Sequence, residues 1–163
     1  MLALYSRALD AIDRASRWVI ISASAAMITV VTVQVLLRYA FNSSIDWSDE
    51  VSRLLFVWCM FLAIPLGIRE GAHVGIELLT VHIPAKPRVL LAKACALVAA
   101  AMMAVVFWQA LKVAWGTWDE MMQTLHLSAN WFMVPVAIAA AHSFLHLIQL
   151  LWRDPVRTVQ ITD

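Results

Sequence analysis

The stretch WVIISASAAMITVVTVQVLLRYA, residues 18–40, decides the fold. It runs 20 positions before its first charge, Arg38, and is too long for the roughly 7–15-residue apolar core of a cleaved leader. Ala23-Ser24-Ala25 resembles a small-residue cleavage site and Arg7, Arg14 and Arg17 precede the run. That site falls early inside the apolar stretch, so the segment is expected to be retained. A bilayer is crossed by about 20 apolar residues, and inside lipid only a helix satisfies its own backbone groups. The first segment therefore reads as a transmembrane helix.

Three further stretches meet the same test: Val51–Ile68, Val89–Trp115 and Trp131–Trp152. The 27 residues of the third would extend about 40 Å as a helix, so tilt or a protruding end is expected. Of the 163 residues, 63% are hydrophobic and 14% charged, with mean hydropathy +0.78. Soluble domains carry about 25% charged residues, so the expected class is an all-α membrane protein with four spans, short connections and one domain over residues 1–163. A net charge of +1 without a basic stripe gives no footprint for nucleic acid, and membrane lipid is the expected surround.

Basic and acidic residues segregate. Arg7, Arg14 and Arg17 precede the first span; Arg69, Lys86, Arg88 and Lys93 lie around the second connection; Arg153 and Arg157 follow the fourth span. Asp46, Asp49 and Glu50 mark the first connection, and Asp119 and Glu120 the third. Only Arg38, Arg53 and Lys112 run against this pattern, which places both termini in the cytoplasm. Trp18 and Trp152 fall at one set of ends and Trp47, Trp115, Trp118 and Trp131 at the other, as an interfacial belt requires. Trp58 and Trp108 fall at depth, where packing against another helix is expected. Short interfacial helices are expected at Val74–Ile83 and Thr117–Leu127, each mixing apolar and polar positions. Cys59 and Cys95 differ in depth, which predicts two free thiols, and Pro65 is expected to bend the second helix.

Ionisable groups near a span are candidate sites. Gln34 and Arg38 end the first span, while Trp47-Ser48-Asp49-Glu50 and Arg53 open the second. Ser48 suits a helix N-cap, Asp49 and Glu50 suit the positive end of the dipole, and Asp49 and Arg53 have i,i+4 spacing. Arg38 can snorkel to the outer interface or pair with Glu50, and a structural cluster that fixes the first hairpin or a partner is favoured over ion or substrate contact. His142, His146 and Gln149 share one face of the fourth helix. Axial haem ligation needs histidines from opposite sides, and the other three spans contain none. His142 is followed by Ser143 where the zinc-protease pattern has glutamate. A polar stripe packed on another helix is the expected role, and His73, His82 and His126 fall in connections. No phosphate loop, nucleophile elbow or cysteine metal pair occurs, so no enzyme activity, metal or cofactor is expected.

The run Gln34-Val-Leu-Leu-Arg38-Tyr-Ala-Phe-Asn42, then Trp47-Ser48-Asp49-Glu50-Val-Ser-Arg53, Phe56-Val-Trp58 and Gly67-Ile-Arg69-Glu-Gly71-Ala-His73-Val-Gly-Ile-Glu77, resembles the small membrane subunit of tripartite ATP-independent periplasmic (TRAP) transporters. The likeness continues through Ile83-Pro84 and Arg88; one departure is Ala63-Ile64-Pro65, where a glycine is expected. The resemblance implies a scaffold subunit in a sodium-driven transporter of organic acids such as carboxylates, in the bacterial inner membrane. The implied partners are a large polytopic subunit, which carries the substrate and sodium sites and moves as an elevator, and a periplasmic substrate-binding protein. Gln34, Arg38, Trp47, Asp49, Glu50, Arg53, Trp58, His73, His142 and His146 are the resulting structural or subunit-interface candidates. The acidic connections could dock the binding protein or be ordinary solvated loops. A quinone- or haem-binding anchor of a respiratory complex is the alternative, and a stand-alone exporter is disfavoured by the lack of an acidic residue deep in a span.

Overall fold

The computed structural model describes residues 2–70 and 85–152. Within them lie four helices long and apolar enough to cross a membrane: α1 (Leu2–Phe41), α2 (Ser48–Arg69), α3 (Ala85–Gly116) and α4 (Val134–Trp152), the last preceded by a 3-10 turn, Ala129–Phe132. The chain is a multi-pass membrane protein. The expected helix at Val74–Ile83, His73 and the basic C-terminal tail lie outside the described residues.

The helices form an open row. α2 packs on α1 and on α4, and α4 packs on α3, while α1 touches α4 at few points. This order follows from where small residues fall. Ala139, Ala140 and Ser143 are buried on α4, and Ala96, Ala100 and Ala110 are buried on α3. Small side chains let helix backbones approach, which is what drives association where lipid supplies no hydrophobic contrast. Leucine, valine and tryptophan cover the outer faces instead, including Trp108 at 69% exposed. The expected packing of Trp108 against another helix within this chain is thus not found, because it lies off the alanine face of α3. Trp58 does meet a neighbour: its indole Nε1 donates to the Trp131 carbonyl at 3.2 Å, and the two rings lie 6.2 Å apart.

At 40 residues α1 is about 60 Å long, twice the hydrocarbon thickness. Besides Ser6 and Ser24, its enclosed positions are Tyr5, Leu9, Asp13, Ser16, Ile20, Ala23, Met27, Val30, Gln34 and Leu37. They alternate in steps of three and four, so one seam runs from the N-terminal extension through the span. The basic N-terminal segment is therefore the first four turns of this helix. α1 ends at Asn42, whose φ of 51° is left-handed, a conformation asparagine tolerates better than most residues. That turn lets the Ser43 amide donate to the Leu37 carbonyl at 3.2 Å.

Pro65 sits inside α2 and is buried; Pro135 sits in the first turn of α4, where its missing N–H leaves no helix bond unmade. Cys59 and Cys95 are free thiols. The Cys59 thiol lies 3.3 Å from the Ser24 hydroxyl and 3.6 Å from the Ile20 carbonyl, tying the middles of α1 and α2.

Candidate functional site

Polar side chains concentrate at the two ends of the row. At the end formed by the first and third connections, the order Trp47-Ser48-Asp49-Glu50 sets the geometry. The Trp47 carbonyl accepts the first helical bond of α2, from Val51 at 3.1 Å. Ser48 is not the N-cap its identity suggested: it is the first helical residue, and its hydroxyl donates back to the Ile45 carbonyl at 2.6 Å. Successive residues on a helix point about 100° apart, so Asp49 and Glu50 face different neighbours. Asp49 accepts from Gln34 Nε2 of α1 at 3.1 Å.

Glu50 turns instead toward the connection between α3 and α4. Its Oε1 accepts from the Gln123 amide at 2.9 Å, and its Oε2 accepts from the Thr124 and Leu125 amides at 2.8 Å each. The Thr124 hydroxyl donates to the same oxygen. Three consecutive amides aimed at one carboxylate form an anion-binding concavity of backbone. Of the two roles open to Arg38, the pair with Glu50 is thereby corrected: rotation around α2 sends the carboxylate to the other side. Neither Arg38 nor Arg53 forms an ion pair among the described residues, so the expected Asp49–Arg53 pair is also absent. Arg38 lines a polar groove of about 450 Å³ with Gln34, Asn42, Asp46 and Asp49.

The same clamp accounts for a second correction. Thr117–Leu127 is not an interfacial helix. Its backbone closes on itself, Met122 donating to Leu127 at 2.9 Å and Ala129 to Glu120 at 2.8 Å, with Met121 bridged to Ser128. Amides 123–125 are spent on Glu50, leaving none of them to carry a helix. The Ser128 hydroxyl then accepts from Asn130 at 3.2 Å and starts the 3-10 turn.

At the opposite end, His142 and His146 lie one turn apart on α4, both buried. Their partner is Asp13 of α1, 1% exposed. His142 Nε2 lies 2.8 Å and His146 Nε2 2.9 Å from the same oxygen, Asp13 Oδ1. The two ring nitrogens are 3.1 Å from each other. Asp13 Oδ2 accepts from the Arg69 guanidinium at the end of α2, which also donates to Asp10 at 2.6 Å. One turn beyond, Arg17 donates to Glu70 at 3.0 Å. Tyr5 donates to the Leu145 carbonyl at 2.8 Å. Three helices thus meet at one carboxylate. Because both imidazoles address the same oxygen from one helix, they cannot bracket a haem between them.

The histidines were legible as a stripe that packs against a neighbouring helix. Asp10 and Asp13 were missed because they are embedded among three arginines. The available signal was spacing: Leu9, Asp13, Ser16 and Ile20 extend the α1 seam in steps of three and four. An aspartate on that seam must find a partner.

Residues 27–156 match the family described as tripartite ATP-independent periplasmic transporters, DctQ component. The chain is 27% identical over 146 residues to a TRAP transporter small permease protein of Haemophilus influenzae, covering 88% of this chain and 87% of the relative. It is 40% identical over 73 residues to another small permease protein of that organism, a match spanning just 45% of either chain. It is 26% identical over 137 residues to the C4-dicarboxylate TRAP transporter small permease protein DctQ of Vibrio cholerae, covering 78% of this chain and 59% of the relative.

Proposed function

The chain belongs to the DctQ component family of tripartite ATP-independent periplasmic transporters, and from that premise we propose that it is the non-enzymatic scaffold subunit of a sodium-driven importer of carboxylates. The observation that carries the scaffold reading is the distribution of polar groups. Three anionic side chains are engaged within the chain: Glu50 by loop amides, Asp49 by Gln34, and Asp13 by Arg69 and two histidines. These contacts hold helices in register and leave, among the described residues, no chain of ionisable groups along the row, which a transport path in this chain would need.

The partners are a large polytopic subunit, which covers part of the open row, and a periplasmic binding protein that delivers cargo. The dicarboxylate named for the Vibrio relative supports a carboxylate as the cargo class. The basic residues around α1 and the second connection favour cytoplasmic termini in a bacterial inner membrane. Gln34, Arg38, Asp49 and Glu50 lie at the outer end, where Arg38 and the acidic connections face the binding protein.

The test is isolation of the tagged chain from its native membrane in mild detergent, with its companions identified by mass spectrometry. A much larger polytopic subunit should accompany it. Reconstituted uptake should need that subunit, this chain, a binding protein and an inward sodium gradient. Recovery of a lone monomer, or of flavin- and iron–sulfur-containing subunits, overturns the assignment.

A further inference from the structure

We propose that Asp13, His142 and His146 form a three-ligand site for a divalent transition-metal cation, zinc being the best fit. The ligand atoms are Asp13 Oδ1 and the Nε2 atoms of both histidines, all on buried residues.

The three atoms form a triangle with edges of 2.8, 2.9 and 3.1 Å. Hydrogen bonds alone leave one edge of that triangle unfavourable when the imidazoles are neutral and the carboxylate is ionised. If both Nε2 atoms carry protons, both donate to Oδ1 and their N–H groups oppose each other across 3.1 Å. If only one is protonated, the bare nitrogen presents its lone pair to the carboxylate oxygen. A cation facing all three lone pairs makes every contact attractive.

Geometry agrees with that reading. Zinc binds imidazole nitrogen and carboxylate oxygen at about 2.0–2.2 Å, so an ion at such distances from all three atoms sits about 1 Å off their plane. The ligand–metal–ligand angles start near 90°, and opening each edge to about 3.3–3.4 Å makes them tetrahedral. Histidines at i,i+4 on one helix face are a known zinc-binding spacing, and two imidazoles select transition metals over magnesium or calcium. Charge agrees as well. Asp10 and Asp13 with one Arg69 leave a net negative charge for a cation to balance. Arg69 occupies Asp13 Oδ2 and so orients Oδ1 toward the histidines, as an outer-shell partner does.

Such an ion clips the N-terminal extension of α1 to α4, two elements that otherwise touch at few points. The third ligand comes from the other end of the chain, 129 residues before His142, which is why no local motif announces the site.

The experiment uses the full chain, purified in mild detergent, stripped with chelator and titrated with Co²⁺. A four-coordinate ligand-field absorption should grow in, saturate at about one equivalent, and be displaced by Zn²⁺. His142→Gln and His146→Gln should each weaken binding about tenfold or more, while His126→Gln leaves it unchanged. Absence of saturable absorption in the monodisperse wild-type chain overturns the site, as does an unaltered titration in the two variants. Should either variant fail to fold, X-ray absorption on the zinc-loaded wild-type chain decides. Two imidazoles in the first shell are expected, and an all-oxygen or thiolate shell overturns the proposal. No transport is measured, so the outcome is independent of the proposed function.

Discussion

Replacing Asp13 by alanine removes a carboxylate that α1, α2 and α4 share, and the structure sets the size of the loss. Two buried imidazole contacts, at 2.8 and 2.9 Å, disappear with the carboxylate. A hydrogen bond to a charged group contributes about 1.5–3 kcal/mol in soluble proteins, and an orphaned buried donor costs about 1–3 kcal/mol. In membrane proteins the measured values fall to about 0.6 kcal/mol on average and about 1.7 at most, because the unfolded chain also finds partners. The Arg69 contact adds little: its side chain is 40% exposed and keeps Asp10, so its share is about 0–1 kcal/mol. Asp13→Ala should therefore destabilise the chain by about 2–4 kcal/mol. The assay is reversible unfolding in mixed micelles by sodium dodecyl sulfate, followed by tryptophan fluorescence with chelator present so that only protein contacts count. Asp10→Ala, whose side chain is half exposed, should cost less than about 1 kcal/mol. Asp13→Ala and His146→Ala together should fall short of the sum of the single changes by about 1–2 kcal/mol. A loss below about 0.5 kcal/mol for Asp13→Ala, or strict additivity with His146→Ala, refutes the claim that this carboxylate ties the helices.

Two further outcomes test the opposite end and the topology. Glu50→Ala should speed amide exchange across residues 123–125 by about tenfold or more, since all four hydrogen bonds that anchor this loop to Glu50 are lost. Arg38→Ala should leave that exchange unchanged, and a loop loosened equally by both would restore an Arg38–Glu50 partnership. In a cysteine-free chain in intact cells, Ser6→Cys and Lys86→Cys should resist a membrane-impermeant thiol reagent while Ser44→Cys and Thr124→Cys react. Labelling at position 86 from outside would break the four-span order.

The helices were legible because lipid imposes one simple condition: an apolar run of sufficient length must be a helix. The sequence intervals lie within four residues of the observed ends, except at the start of α1. There the arginines mask a seam that composition averages away but residue spacing preserves. The connection between α3 and α4 was misread for a related reason. Met121, Met122 and Leu125 do fall at helical spacing, yet the backbone there is organised by Glu50, more than 70 residues earlier. Local periodicity cannot report a remote carboxylate that captures three amides. Arg38 and Glu50 lie near each other in sequence order yet do not pair in space. The 100° step around α2 turns Glu50 away from its neighbour Asp49 and toward the third connection.

Which faces of the open row suit lipid, and which need protein, follows from the fate of their polar groups. Ser22 and Thr29 lie exposed on α1, but each hydroxyl donates to its own helix, to Val19 at 3.1 Å and to Ala25 at 2.8 Å. With Ala25 between them they look like a helix-packing stripe, yet both hydroxyls are satisfied, so hydrocarbon can cover these positions. α3 is different. Val98, Met102, Val105 and Gln109 follow one another in steps of four, three and four on the side opposite its buried alanines, and all are exposed. The Gln109 amide has no partner among the described residues and sits about 10 Å inside the end of α3. Lys112, one turn closer to that end, can extend its amine to the interface. A primary amide has a shorter reach, and leaving it in hydrocarbon costs several kcal/mol, about 4–8 on an alkane scale. The Gln109 face of α3 is therefore the part of the row that lipid suits least, and it is where the open architecture gives the larger subunit most to gain by packing.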